Sequence, residues 1–221
     1  MLYSETASII FLILLAAVSA VHLWGPWDRK ISKPFLLLLI AAYYITSVVN
    51  VNYFLVVALL TSWLGDVLLM PRGDGWFTAG GISFMISHFL FITVYTGRID
   101  YFLVRWYIVI PAAVIYLGIS AVIIKLVKPT TPKIMVIPMY IYLVANSSMN
   151  IFALMQLMSN PGAAGIVAYI GAVLFFASDC TLFMVRYYKN GYFKSHFWVM
   201  LTYILGELMI TQGIIMFSRL Y

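Results

Sequence analysis

The sequence predicts an all-α integral membrane protein of eight transmembrane helices, and three observations carry that prediction. The 221 residues are 64% hydrophobic and only 9% charged, with a mean hydropathy of +1.02. Soluble domains run near a quarter charged, and a disordered chain lacks such apolar mass. Apolar segments recur along the whole chain, and at about 20 residues per span its length holds roughly eight of them. The segments are apolar all round, whereas membrane-barrel strands are short and alternate apolar with polar residues.

The elements follow in order. The first span covers residues 5–24; it has no basic flank and no small-residue cleavage site, so it reads as a retained span. Gly25-Pro26 and then Pro34 set off the second, 34–50, and the third, 53–70, ends at Pro71-Arg72-Gly73. The fourth is 76–96. The fifth, 106–124, ends before the stretch from Pro129 to Pro132. The sixth, 134–157, stops at Asn160-Pro161-Gly162. The seventh, 163–185, is divided by Asn190-Gly191 from the eighth, 197–217. Residues 1–221 then form a single domain, with no soluble domain on either side.

Charge gives the orientation. Arg29, Lys30, Lys33, Arg72, Lys125, Lys128, Lys133, Arg186, Lys189 and Lys194 flank the loops after odd-numbered spans, against Arg98, Arg105 and Arg219 at the other side. By the positive-inside rule the basic loops are cytosolic and both termini are not. The net charge of +6 is therefore explained by orientation and anionic lipid headgroups, with no nucleic-acid partner. Trp24, Trp27, Trp76, Trp106 and Tyr187-Tyr188 read as interfacial anchors. Leu64–Met70 echoes Ala177–Phe183, each a small residue, an Asp and an apolar run into a basic loop. A weak 4+4 parallel repeat leaves such an echo, and so does the low complexity of membrane helices.

Function has to sit in the spans. Of seven carboxylates, Glu5, Asp28, Asp74 and Asp100 fall in loops or at span ends, and Asp66, Asp179 and Glu207 fall inside spans. An intramembrane carboxylate costs about 2.5–3.5 kcal/mol even on insertion scales, so each asks for a reason. From the helix rise, Asp66 is about 7 Å from the basic end of its span, Asp179 about 10 Å, Glu207 about 15–17 Å and His88 about 18 Å. Four helices thus offer four polar groups to one inward-opening cavity. The bland readings are that Asp66 pairs with Arg72, Asp179 with Arg186, and His88 makes an interhelical hydrogen bond. Tyr43, Tyr44 and Asn50 line a cavity or merely pack; Asn146, Ser147, Ser148 and Asn150 fit helix–helix hydrogen bonding.

Several chemistries lack support. The one cysteine, Cys180, has no neighbouring base and reads as structural. There is no glycine-rich phosphate loop and no Gly-x-Ser-x-Gly elbow. Of three histidines, His22 is expected near the outer face, His196 at the inner interface, and only His88 centrally, so no spacing demands a metal, and no cofactor is called for. The Met-rich spans read as core filler.

The stretch Trp63–Phe91, with Gly65-Asp66, Phe84 and His88, resembles the YhhN-type lysoplasmalogenase family, as do Ser178-Asp179 and the stretch Tyr203–Glu207. Two departures stand out: Glu207 where the family usually has glutamine, and Phe91 where a tyrosine often follows the His block. The resemblance implies a membrane ether hydrolase cleaving the vinyl-ether bond of lysoplasmalogens to a fatty aldehyde and glycerophosphoethanolamine or glycerophosphocholine. A carboxylic acid protonates the vinyl ether, and a second carboxylate faces the resulting cation, as in glycosidases. Asp66 and Asp179 are the expected catalytic pair, with His88, Glu207, Tyr43 and Asn146 positioning substrate or water. The expected partners are a lysophospholipid substrate and membrane lipids, with the oligomeric state open. The alternative is a proton-coupled transporter of a small solute or lipid built on the same buried carboxylates; a lipid-binding scaffold without turnover is a third reading.

Overall fold

The computed structural model describes residues 3–25, 29–188 and 196–220. Eight α-helices account for most of them: α1 Glu5–Trp24, α2 Arg29–Ser47, α3 Tyr53–Leu68, α4 Asp74–Thr96, α5 Trp106–Val127, α6 Lys133–Ser159, α7 Ala163–Tyr187 and α8 His196–Leu220. A single 3₁₀ turn, Lys128–Thr130, follows α5, and no strand occurs among the described residues. Six helices are long and apolar enough to cross a membrane: α1, α4, α5 with its turn, α6, α7 and α8. The protein is a multi-pass membrane protein. α3 is apolar but shorter at 16 residues, and α2 carries Arg29, Lys30 and Lys33 in its first two turns.

Each expected segment coincides with one helix, and the differences lie at the ends. α2 begins at Arg29, so Pro34 lies inside it rather than before it. The ring removes the backbone donor that would otherwise bond the Lys30 carbonyl one turn earlier. Ser4 caps α1 through the Ala7 amide and Asn52 caps α3 through the Phe54 amide. Between α3 and α4 the chain reverses through Gly73 at φ 132°, a conformation L side chains rarely adopt.

Two close helix pairs hold the centre. α7 and α8 meet along small residues: a Cβ on Gly171 would stand 2.5 Å from the Ile210 amide nitrogen, and one on Gly213 2.6 Å from the Ala168 Cβ. Such contacts let backbones approach where the hydrophobic effect supplies no drive between helices. α3 meets α4 through Gly65, where a Cβ would lie 2.6 Å from the Phe84 ring. α6 packs on α4, α5 and α7, and α8 also touches α2. In α8, 61% of the apolar window is buried, against 22% in α1 and α5, so α1 and α5 are peripheral.

The C-terminal ends of α1, α3, α5 and α7 share one end of the bundle, here termed the basic end. Two expectations change. His22 lies in the last turn of α1 at this end, its Nδ1 2.8 Å from Ser32 Oγ, because α1 has by then run the length of the bundle. Tyr187 is not an interfacial anchor: it is buried, edge-on to Phe77 at 5.9 Å, and its hydroxyl accepts from Arg186 Nε. Trp24, Trp76 and Trp106 are exposed at helix ends as expected, while Trp27, Lys189, Asn190-Gly191 and Lys194 fall outside the described residues.

Candidate functional site

A polar cavity of about 220 Å³ opens at the basic end. Asp66 from α3 and Asp179 from α7 both line it, with Ser178, Tyr203, Lys33, Arg186 and His196. Leu69, Phe77, Phe84 and Leu182 supply apolar walls. The two carboxylates thus come together from segments more than a hundred residues apart, and both are nearly inaccessible, at 3% and 5% exposure.

Their settings differ. Lys33 Nζ lies 2.9 Å from Asp66 Oδ1, a partner supplied by α2 rather than the expected Arg72. Asp66 Oδ2 makes no regular hydrogen bond, although the Tyr203 hydroxyl is its polar neighbour. Asp179 Oδ2 instead accepts from the Tyr142 hydroxyl and from Asn146 Nδ2, each at 2.6 Å. Arg186, the expected partner of Asp179, swings outward to Asp74 Oδ1 at 3.2 Å and stacks over the Phe77 ring at 4.0 Å. Asp74 opens α4, where a carboxylate is favoured by the helix dipole, so the arginine follows it.

His88 joins the site through Asp179. Its Nε2 is 3.5 Å from Asp179 Oδ2, and its Nδ1 bonds the carbonyl of Phe84 one turn earlier on α4. A carbonyl only accepts, so Nδ1 carries the proton, and Nε2 holds one only in the imidazolium. The 3.5 Å approach to Asp179 is thus an ion pair only in the imidazolium form, and Nε2 makes no regular hydrogen bond. The order of events along α3 and α4 is physical: the missing Cβ of Gly65 admits the Phe84 ring, and Phe84 presents the carbonyl that fixes the His88 tautomer. Phe175 of α7 closes the imidazole from the side, ring centroids 5.0 Å apart.

The sequence model of the YhhN family matches residues 29–214. The chain belongs to the YhhN family. No curated protein and no solved structure matches it. In this YhhN protein the matched region contains all of the polar cavity.

Not every expected residue reaches the cavity. Asn146 does so by holding Asp179. Glu207 lies deeper, fully buried on α8; neither carboxylate oxygen makes a regular hydrogen bond, and Ser62 is its polar neighbour. Ser62 in turn shares a 2.6 Å hydrogen bond with Ser87. Tyr43 is engaged elsewhere, donating to Gln212 Oε1 at 2.6 Å, five residues beyond Glu207 on α8. Tyr44 donates nothing to the site: its oxygen accepts from the Asn52 amide at 2.8 Å. Ser147 bonds Ser120 of α5, whereas Ser148 and Asn150 bond within α6.

Lys33 and Tyr142 have no place at the site in the sequence-based expectation; Tyr203 stands there only as the start of a matching stretch and His196 only as an interfacial residue. Among the described residues no group of three His, Cys, Asp or Glu side chains is placed to hold a metal ion.

Proposed function

We propose that this YhhN protein hydrolyses the vinyl-ether bond of lysoplasmalogens inside the membrane, with Asp179 delivering the proton and Asp66 facing the cation. The observation that carries the reading is the pair of buried carboxylates in one cavity, one salt-bridged to a lysine and the other beside a histidine nitrogen at 3.5 Å. Vinyl-ether cleavage asks for that asymmetry. A proton adds to the alkenyl carbon one bond removed from the oxygen-bearing carbon. The resulting oxocarbenium ion is captured by water, and the hemiacetal collapses to a fatty aldehyde and the glycerophospho-alcohol.

In this scheme Asp179 delivers a proton from its other oxygen and regains one from the attacking water, so the site ends as it began. Tyr142 and Asn146 hold Oδ2, leaving the other oxygen for substrate. Asp66 keeps one oxygen on Lys33 and one toward the cavity, where negative charge favours the cation. Lys33, Arg186 and His196 ring the mouth and suit a phosphate headgroup.

The same reading completes the topology: α2 and α3 cross as well, giving eight spans with both termini on the non-cytosolic side and the cavity open to the cytosol. α8 packs on α2 as α4 packs on α6, the relation a 4+4 repeat requires. Transport is the lesser reading, because none of the helices forming the cavity is broken at mid-span, as transporter binding helices typically are.

The test is aldehyde release from a synthetic lysoplasmalogen by detergent-purified protein, with and without a chelator, for the wild type and for Asp66→Asn and Asp179→Asn. Release in both tubes, abolished in either folded variant, is expected. Full activity in both variants removes the pair from the chemistry. Loss with chelator places a metal in the site.

A further inference from the structure

Beside the polar cavity lies a second one, of about 240 Å³, with an almost wholly apolar lining. It runs between α4 and α6, where Gly81 and Met85 face Met135, Met139 and Tyr142. Four of its walls, Leu69, Phe77, Phe84 and Leu182, are also walls of the polar cavity, so the two adjoin across these side chains. Its rim residues Ile82 and Ile141 are half exposed on the outer surface of the bundle. The groove therefore opens sideways, where lipid chains lie, and the polar cavity opens at the basic end.

Together the two spaces fall within the roughly 300–1,000 Å³ typical of small-molecule sites. A ligand that fills both is apolar over one part and ionic over the other. The groove has no charged wall, and three methionines line it, side chains that adapt to unbranched chains of different length. An apolar space of this kind stays dry unless an apolar guest enters. One groove adjoins the carboxylates, and it has room for one chain rather than two.

We infer that the groove between α4 and α6 holds the alkyl chain of a single-chain phospholipid, which enters sideways from the bilayer and brings its headgroup end to Asp66 and Asp179. The inference rests on the proposed chemistry only for what happens at the headgroup end; chain binding itself needs no turnover.

Gly81 provides the test. A Cβ built there meets nothing within 4 Å, so Gly81→Phe fills the groove without straining α4. Gly118 on α5 is equally open and lines neither cavity, so Gly118→Phe is the matched control. The probe is a lysophosphatidylethanolamine with a saturated, ether-linked chain carrying a terminal diazirine, which the enzyme cannot hydrolyse. Photolabelling of wild-type protein in nanodiscs is expected on residues 78–85 and 135–142. Since each displaced methylene costs several-fold in affinity, labelling in Gly81→Phe is expected to fall more than tenfold for a long-chain probe and little for a short one. Gly118→Phe should label as the wild type does.

Labelling spread over α1 and α5, or unchanged in Gly81→Phe, overturns the inference. The outcome is separable from the reaction. Groove labelling without aldehyde release leaves the groove standing and removes the reaction; aldehyde release with labelling elsewhere does the reverse.

Discussion

His88 presents Nε2 to Asp179 Oδ2 at 3.5 Å, while its other ring nitrogen is committed to the carbonyl of Phe84. The backbone of α4 therefore decides the state of the imidazole, and α6 decides the state of the carboxylate through Tyr142 and Asn146. Three helices, α4, α6 and α7, thus hold the two side chains in place, which makes them interdependent.

Interdependence has a kinetic signature. General acid catalysis contributes about 10²–10⁴-fold, so Asp179→Asn and His88→Gln should each lower aldehyde release by at least about 10²-fold. The double variant should be no worse than the poorer single one, because residues that act as a unit are not additive. Multiplicative losses in the double variant would falsify the coupling of His88 to Asp179.

Asp66 and Lys33 form a pair with little solvent access, their side chains 4% and 17% exposed. Removing one partner of a buried pair leaves a stranded charge and costs about 3–5 kcal/mol. Lys33→Met is thus expected to lower the thermal unfolding midpoint of the purified protein markedly. Lys33→Met combined with Asp66→Asn should recover most of it, since no charge is then stranded. A midpoint that stays low in the double variant would mean that the lysine acts through packing instead.

Hydropathy made the helices legible, because each of these segments is apolar whatever it packs against. Asp66, Asp179, His88 and Glu207 were legible for the complementary reason that polar groups are costly in such segments. Lys33 was not, since it lies 33 residues from Asp66 and reaches it only because α2 packs on α3. Tyr142 and Tyr203 were hidden among sixteen tyrosines, whose type does not reveal which hydroxyl meets a carboxylate. A signal did exist for the α7–α8 seam: Ala164, Ala168 and Gly171 recur about once per turn, as do Gly206 and Gly213 over two turns.

Gly65 tests the link from sequence motif to imidazole. A methyl group there would lie 2.6 Å from the Phe84 ring, so the ring must move. Overpacking of this kind costs about 1–3 kcal/mol. Gly65→Ala should therefore fold with reduced stability and lose activity out of proportion, because the displaced Phe84 no longer fixes the carbonyl that His88 uses. Trimming the ring with Gly65→Ala/Phe84→Leu should restore stability more than activity. Thermal unfolding and aldehyde release on the same preparations separate the two effects.

Glu207 poses the opposite case, a fully buried acid with no salt-bridge partner among the described residues and with Ser62 and Tyr95 among its polar neighbours. A glutamine keeps the shape and a hydrogen-bonding oxygen for Ser62, and it removes any cost of holding a charge in a low-dielectric interior. Glu207→Gln should accordingly unfold at the same temperature or a higher one and retain aldehyde release within about tenfold, below the about 10²-fold minimum of an acid–base group. The reason is positional: Glu207 does not line the cavity where Asp66 and Asp179 meet substrate. A hundredfold loss in a well-folded Glu207→Gln protein would place this carboxylate in the reaction. Activity intact in Glu207→Gln but lost in Asp179→Asn would separate the buried acid of α8 from the chemistry of α7.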